Sequence, residues 1–218
     1  VEYDNKDIAL VNIRTNPDNQ IFRAMDDDED IRILAEDIKR NGLMHNLVVF
    51  PEQEEGSAVY VLLSGERRFR ALNYLQEKGD ATWNIVNCNV VTTPLTENEK
   101  KVLLYSANLQ VRGGFSDEAI RRQAIAEFIT CLQREPYNMS REEALNATKI
   151  VSTVNPRTIE RDARIEEKLK GKLKTLLNDK FLTRSECETY LRFEADKQDE
   201  IANRFEKLQA VDCHSDDT

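Results

Sequence analysis

The sequence has no hydrophobic run that approaches the roughly 18 apolar residues of a membrane span. Aromatic residues make up 7% of the chain and charged residues 33%, so we expect a soluble protein with modest hydrophobic cores. There is no internal repeat, and the one biased segment is an acidic run at residues 26–30. These absences exclude membrane-spanning and repeat architectures, and 218 residues fit one large domain or two small ones.

Cysteine and histidine are also scarce. The four cysteines are far apart and form no C-x-x-C pair: Cys88, Cys131, Cys187 and Cys213. The two histidines are His45 and His214. The sequence therefore predicts no structural zinc site, and the reduced thiols of an intracellular protein are the default expectation. The chain begins at Val1 rather than Met, and we expect it to be a piece of a longer protein.

The net charge of −9 argues against non-specific binding to nucleic acid. The charge is unevenly distributed, because residues 113–195 carry 15 Lys and Arg against 14 Asp and Glu, whereas residues 1–112 and 196–218 are acidic. A near-neutral segment between acidic flanks can carry one basic face. The location of the basic side chains therefore matters more than their number.

Two patterns of secondary structure divide the chain. Up to about residue 95, short strands alternate with helices; we predict strands at residues 8–13, 47–50, 59–63 and 85–91, and helices at 31–41 and 66–78. From Thr96 onward every periodic segment is helical, and capping pairs open three of the helices: Thr96 with Glu99, Ser140 with Glu143, and Thr183 with Glu186. The sequence predicts an α+β domain at residues 1–112 and an all-α domain at residues 113–218.

A candidate anion site lies where the apolar run 59–63 meets a Ser-Gly turn and a helix. Ser64 is a good N-cap residue, and Gly65 permits close approach of the backbone to a ligand. The helix opens with four charged residues, Glu66, Arg67, Arg68 and Arg70. Backbone N–H groups at a helix start, together with arginines in the first turn, bind anions. An amphipathic helix with a solvated arginine face explains the same residues.

The segment from Ser140 to Leu169 has the length and rhythm of a helix-turn-helix. Asn155-Pro156 starts its second helix, on which Thr158 lies beside a single basic stripe formed by Arg157, Arg161, Arg164 and Lys168. Such a stripe fits DNA, and four further arginines are candidate phosphate contacts: Arg121, Arg122, Arg134 and Arg141. An ordinary mixed-charge solvent face is the alternative, since four acidic residues are interspersed: Glu160, Asp162, Glu166 and Glu167.

Three polar residues end the helix that Thr96 opens. Asn108, Gln110 and Arg112 could face a ligand held at the Gly65 turn, but the pattern by itself favours polar residues on a solvated helix surface.

The motifs described above, taken in their order along the chain, resemble those of one protein family. The segment L-S-G-E-R-R-F-R-A-L at residues 63–72 resembles the G-E-R-R-x-R-A box of the ParB/KorB/Noc family of chromosome- and plasmid-partition proteins. The family's I-x-x-N-P box is matched at residues 13–17, and its G-[IL]-x-Q-P-[IL] and E-N-L-Q-R boxes are matched in part at residues 42–47 and 107–111. The resemblance covers roughly residues 8–195.

The resemblance implies a ParB/sulfiredoxin-like domain that binds CTP and magnesium, followed by a helix-turn-helix domain near residues 140–169. It places Gly65, Glu66, Arg67 and Arg68 on the triphosphate, and Asn108 in a second phosphate motif. It places the turn that contains Gly42, His45 and Asn46 beside the cytosine. The family binds a palindromic DNA site as a dimer, closes into a clamp with nucleotide, and works with a ParA-like ATPase. The expected location is the cytoplasm, on a bacterial nucleoid or plasmid.

Three positions depart from the family pattern. His45-Asn46 replaces Gln-Pro, Val111 stands at the family's arginine with Arg112 one place later, and Ala107 replaces a glutamate that would help to hold magnesium. Glu66 and Asn108 remain as side chains for the metal, and weak CTP hydrolysis stays open. The family's C-terminal dimerisation domain is not recognisable, so a dimer is expected to need DNA or nucleotide.

Two other functional classes remain open at this point. A degenerate homologue could regulate transcription without using a nucleotide, which the changes at His45-Asn46 and Ala107 favour. An enzyme on the same fold, such as a sulfiredoxin, a nuclease or a free-serine kinase, is the third. Sulfiredoxin is disfavoured because its reactive cysteine would lie in the turn where this chain has Ser64-Gly65-Glu66.

Overall fold

The computed structural model describes residues 1–23, 28–54, 57–111 and 117–212. The chain forms two compact units, one of Val1–Val111 with Arg134–Asn138 and the other of Arg112–Gln133 with Met139–Thr218. Among the described residues, no helix has both the length and the apolar character needed to cross a membrane.

The first unit is α+β, as predicted. Its described strands are β1 Tyr3–Ala9, β2 Ile13–Arg14, β3 Leu47–Glu54, β4 Ser57–Ser64 and β5 Ile85–Val91. Its described helices are α1 Gln20–Arg23, α2 Asp28–Asn41, α3 Glu66–Glu77 and α4 Glu97–Val111, with short 3₁₀ turns at Leu10–Asn12, Pro17–Asn19 and Ala81–Asn84.

The sheet brings three distant segments to one end. Its strand order is β1-β5-β3-β4-β2, with β5 parallel to β3 and β3 antiparallel to β4. Val48 pairs with Ser64, and Leu47 pairs with Cys88. The loop before β3, the turn after β4 and the middle of β5 therefore meet.

Helices α2 and α3, both predicted from the sequence, cover the sheet with their apolar faces. Ile31, Ala35 and Ile38 of α2 are buried in one cluster with Phe69, Leu72 and Leu75 of α3. Val86, Cys88 and Val90 alternate into the same core from β5. This packing fixes the start of α3 against the sheet and so positions the Gly65 turn.

The predicted strand at residues 8–13 is wrong in extent. Strand β1 ends at Ala9, a 3₁₀ turn follows, and β2 begins at Ile13. Strand β1 pairs with β5, whereas β2 pairs with β4 at the other side of the sheet, so the chain must leave one edge before it joins the other. The polar first half of β1 carries no apolar alternation because its side chains are exposed.

Ser64 does not cap α3. Strand β4 continues through Ser64, and Gly65 occupies the N-cap position, with no side-chain hydrogen bond to the first turn. Pairing of Ser64 with Val48 keeps Ser64 in the sheet and moves the turn one residue later.

The second unit is all-α in the described residues: α5 Glu118–Gln133, α6 Arg141–Val151, α7 Pro156–Lys168, α8 Gly171–Asn178, α9 Arg184–Tyr190 and α10 Ala195–Asp212. The predicted capping boxes of α6 and α9 are both present, and the Thr96–Glu99 pair likewise caps α4 of the first unit. Asp117 accepts hydrogen bonds from the backbone N–H groups of Ala119 and Ile120 in the first turn of α5.

Helix α8 was not predicted. Its segment G-K-L-K-T-L-L-N is short and starts at a glycine, which suggests a break. Leu173, Leu176 and Leu177 are nevertheless buried with Cys187 of α9 and Ala202 of α10. Packing against these helices therefore stabilises a segment whose local sequence is uninformative.

Candidate functional site

The described residues form a candidate site in each unit, and the first is the turn between β4 and α3. Gly65 has a φ of +105°, in the left-handed region that favours glycine. A Cβ atom at this position would lie 2.7 Å from Cδ2 of Leu47 and 3.1 Å from Nη2 of Arg68. Because Gly65 has no side chain to cap the helix, the first-turn N–H groups of α3 are directed toward the space before it. This geometry fits an anion.

Arg68 joins this turn to the loop before β3. Its Nη1 atom donates hydrogen bonds to the backbone carbonyl oxygens of His45 and Asn46, the latter at 2.8 Å. Burial lowers the pKa of the Arg68 guanidinium from its ordinary value. Within the described part of the chain, this guanidinium contacts carbonyl oxygens and pairs with no carboxylate. Arg68 is therefore a partly buried cation at a helix start whose described contacts are backbone carbonyl oxygens.

Arg67 and Arg70 have different surroundings. Arg70 forms an ion pair of 3.0 Å with Asp28, and Arg67 forms one of 3.7 Å with Asp30. Both acidic residues lie in the first turn of α2 and belong to the acidic run at residues 26–30. The run thus contacts two of the arginines proposed for phosphate, which the sequence did not reveal.

The loop before β3 is held by an asparagine cluster on β5. Nδ2 of Asn46 donates hydrogen bonds to Oδ1 of Asn87 at 2.7 Å and to Oδ1 of Asn89 at 3.3 Å. Asn87 in turn donates to Asp7 on β1 at 2.9 Å. Asn87 and Asn89 were missed, although the alternation of Val86, Cys88 and Val90 into the core placed them on the opposite face.

The remaining predicted residues of the first site are distributed around this turn. Gly42 follows α2 with a φ of +81°, His45 is exposed, and Ser64 is half-buried at the end of β4. Glu66 is buried, with 7% of its surface exposed.

Asn108 lies on α4 beside the Pro17–Asn19 turn. Its Nδ2 atom donates to the carbonyl oxygen of Leu104 at 2.9 Å and to Oδ1 of Asn19 at 3.4 Å. Arg112 lies outside the described residues. Across the described ranges, no three His, Cys, Asp or Glu side chains form a group that could hold a metal ion, so Glu66 and Asn108 do not constitute a metal site by themselves.

The second candidate site is the outer face of α7. Asn155 caps this helix by accepting a hydrogen bond of 2.9 Å from the backbone of Arg157, and Pro156 occupies its first turn. A cleft of about 660 Å³ runs along the face and is lined by Arg141, Leu145, Arg157, Glu160, Arg161, Arg164, Glu167, Lys168 and Glu188. The predicted stripe of four basic residues is therefore brought together. Thr158 is half-buried and does not line the cleft.

Two of the interspersed acidic residues face inward. Asp162 is fully buried, 2.7 Å from Nε of Arg121 and 3.7 Å from Nη1 of Arg184. Glu166 pairs with Arg122 at 3.4 Å and also with a lysine of α8. These carboxylates therefore do not neutralise the outer face of α7.

The prediction that Arg121 and Arg122 contact phosphate is wrong. Arg121 is 9% exposed and Arg122 is 1% exposed. Their guanidinium groups pair with Asp162 and Glu166, so both lie inside the helical core. Arg141 lines the cleft and pairs with Glu167, and Arg134 is exposed.

Three carboxylates line the cleft beside the basic stripe, two of them exposed and one half-buried. Glu160 pairs with Lys149 at 2.5 Å, and the hydrogen bond and charge of Lys149 lower the pKa of Glu160. Glu167 pairs with Arg141. Glu188 of α9, which the sequence did not single out, contacts Arg161 at 2.6 Å and Arg164 at 2.5 Å.

Residues 2–99 match the family model described as the ParB N-terminal domain. None of the curated proteins matches the chain. The C-terminally truncated chromosome-partitioning protein ParB from Caulobacter crescentus, solved with the centromeric parS site, is 14% identical and aligns over 91% of this chain and 90% of its own with a TM-score of 0.56. The C2221 form of the Pnob8-like ParB-N domain is 11% identical, with coverages of 93% and 97% and a TM-score of 0.51.

The Caulobacter protein in complex with CTP-gamma-S is 19% identical, but its TM-score of 0.37 is too low for a structural inference. The two alignments above 0.5 establish a shared fold, with both units of the chain included in the aligned length.

Proposed function

We propose that this chain is a ParB-like protein, because residues 2–99 match the ParB N-terminal domain, and that it binds a nucleoside triphosphate at the Gly65 turn and duplex DNA through α7. By resemblance, the nucleotide is CTP, the DNA site is a palindrome, and nucleotide binding closes a DNA clamp. The boundary between the nucleotide-binding and DNA-binding domains is proposed near residue 112.

One observation carries the nucleotide half of the proposal: Arg68 is partly buried beside a glycine-initiated helix start and pairs with no described carboxylate. A triphosphate would supply the missing negative charge. Arg68 and the first-turn N–H groups would bind its oxygens, and Arg67 and Arg70 would add charge after exchanging partners with Asp30 and Asp28.

The base would lie against the loop that contains Gly42, His45 and Asn46. Arg68 contacts the backbone of this loop, so phosphate and base recognition are joined by one side chain. Magnesium would reach the site with the phosphate oxygens, as is usual for this ion, with Glu66 and Asn108 as proposed supporting residues. Hydrolysis is not included in the proposal because Ala107 stands where the resemblance expects a glutamate.

The proposed DNA binding is supported by the cleft along the outer face of α7. Arg157, Arg161, Arg164 and Lys168 share one face, while the carboxylates of Asp162 and Glu166 are directed into the core. A capped helix with a basic outer face fits the major groove and its flanking phosphates. A homodimer formed on DNA or nucleotide and a ParA-like ATPase partner are proposed from the resemblance.

The test is DNA binding measured with and without nucleotide. Duplexes selected by this protein from a random pool would be titrated by fluorescence anisotropy, alone and with CTP, ATP, GTP or UTP and magnesium. We expect selective binding that CTP alters and the other nucleotides do not. Absence of any DNA binding would overturn the DNA half.

A transcriptional regulator that uses no nucleotide is the second candidate. The ion pairs of Arg67 with Asp30 and of Arg70 with Asp28 favour it, because they satisfy two of the arginines without a ligand. Selective DNA binding that is indifferent to all four nucleotides would establish this candidate instead.

A further inference from the structure

Glu188 is the acidic residue placed most directly against the proposed DNA-binding face. Its Oε2 atom accepts a hydrogen bond of 2.6 Å from Nη2 of Arg161, and its Oε1 atom accepts one of 2.5 Å from Nη2 of Arg164. One carboxylate therefore bridges two arginines that are neighbours on the outer face of α7. We propose that Glu188 determines DNA specificity by positioning Arg161 and Arg164; this inference rests on the DNA-binding function proposed above.

Helix α9, which carries Glu188, is stabilised by a capping box and by packing against the core. Thr183 and Glu186 form a reciprocal capping box at its start, and Cys187 is fully buried in the core of the second unit. Tyr190 packs edge-on against Phe205 of α10. The Glu188 side chain is 28% exposed and lines the cleft from helix α9.

The two arginines are held to different degrees. Arg161 also contacts Oγ of Ser185 at 3.1 Å, and its side chain is 30% exposed. Arg164 is 53% exposed and has Glu188 as its described ion-pair partner. Arg161 is thus pre-oriented by two groups of α9, whereas Arg164 can exchange Glu188 for a DNA acceptor.

This arrangement affects random and selected DNA differently. A carboxylate beside the groove repels phosphates and neutralises two arginines, which weakens binding to every sequence. A guanidinium that is already ordered by Glu188 loses less conformational freedom when it contacts the edge of a guanine. Glu188 therefore weakens binding to a selected sequence less than it weakens binding to a random one. Glu188 thereby increases the ratio of selected to random affinity, which is the specificity of the protein.

The test compares Glu188→Gln with Glu200→Gln. Glu200 is a matched control because it also bridges two cations, Lys197 and Arg204, but lies on α10 and does not line the cleft. The probes are a 24-bp duplex of random sequence and a 24-bp duplex selected by the wild-type protein. Circular dichroism would verify that each variant is folded.

We expect Glu188→Gln to tighten binding to the random duplex about threefold to tenfold and to steepen its salt dependence by about 0.9 in log K against log salt, which corresponds to one added phosphate contact. The ratio of selected to random affinity should fall by a similar factor. Glu188→Asp keeps the charge and should restore wild-type affinity for the random duplex.

A double variant separates positioning from simple structural support. In the Arg161→Ala/Arg164→Ala background, Glu188→Gln should tighten binding to the random duplex less than it does in the wild type, because only the repulsion between Glu188 and phosphate is then removed. If Glu188→Gln and Glu200→Gln have equal effects in the otherwise wild-type chain, the inference is wrong while DNA binding stands. If the wild-type chain binds neither duplex, the proposed function fails and this inference fails with it.

Discussion

The guanidinium of Arg68 donates a hydrogen bond of 2.8 Å to the backbone carbonyl oxygen of Asn46, which connects the start of α3 to the loop before β3. The same Nη1 atom of Arg68 also donates a hydrogen bond to the backbone carbonyl oxygen of His45. The residue best placed to bind phosphate is therefore also the residue that fixes the loop proposed to meet the base.

Arg68→Ala should abolish triphosphate binding and leave DNA affinity unchanged, because the proposed DNA contacts lie in the other unit. Calorimetric titration with CTP and anisotropy with a selected duplex measure the two affinities. Arg67→Ala is the matched control, since its ion pair with Asp30 makes it less available, and it should reduce CTP affinity to a smaller extent. Equal losses from both variants would contradict the special role of Arg68.

Asp30→Asn should raise the affinity for CTP by about twofold to fivefold, because it removes an exposed ion-pair partner that competes with phosphate for Arg67. Calorimetry at moderate salt measures the change. Asp37→Asn on the same helix removes the same charge from a residue that contacts Asn41, and it should have little effect. The account would be contradicted if Asp30→Asn weakened CTP binding.

Arg157→Ala should weaken DNA binding and reduce the slope of log K against log salt by about 0.9, as expected for one lost phosphate contact. Arg157 lines the cleft of α7 and has no described ion-pair partner, so its charge is available to DNA. Arg204→Ala on α10 is the control for loss of one positive charge. An unchanged slope in Arg157→Ala would show that this face does not meet DNA.

Asp162→Ala should destabilise the second unit by about 3–5 kcal/mol, because it leaves the guanidinium of Arg121 buried without its carboxylate. Urea unfolding followed by circular dichroism measures the loss. Glu160→Ala on the exposed face of the same helix should leave the unfolding midpoint near that of the wild type. A small effect of Asp162→Ala would mean that its ion pairs are not important for folding.

Cys88 and Cys187 should resist alkylation in the folded protein at pH 8, since burial raises the pKa of each thiol to about 11. The folded pKa lies above the ordinary value of 9.0, so the associated stability is fully present below pH 9 and is lost as the pH rises toward 11. Mass spectrometry after iodoacetamide treatment locates the labelled residues. Rapid labelling of either cysteine in the native state would contradict its burial.

The features that the sequence predicts correctly are those set by residues close together in the chain. Gly65 before a helix start, the capping box at Ser140 and the Asn155-Pro156 helix start each depend on residues within a few positions of one another, and the structure contains all three. The α+β division could also be predicted, because the apolar period changes from alternation to helical spacing near Thr96.

The missed features depend on distant pairings. Arg68 meets Asn46 from 22 residues away, and Glu188 meets Arg164 from 24 residues away, so no local pattern marks either contact. The inward direction of Asp162 was hidden because a charged residue in a basic stripe is ordinarily expected at the surface. Helix α8 depends on burial against its neighbours rather than on its own sequence.

The most direct test of the account is calorimetric titration of CTP with magnesium into the wild-type chain and into Gly65→Ala. A Cβ atom at position 65 would conflict with Leu47 and with the guanidinium of Arg68, while the proposed DNA-binding face lies in the other unit. We predict saturable binding of CTP to the wild type, and loss of that binding with retained DNA affinity in Gly65→Ala. Failure of the wild type to bind any of the four nucleoside triphosphates, or equal CTP binding by both proteins, would contradict the assignment of the Gly65 turn as the triphosphate site.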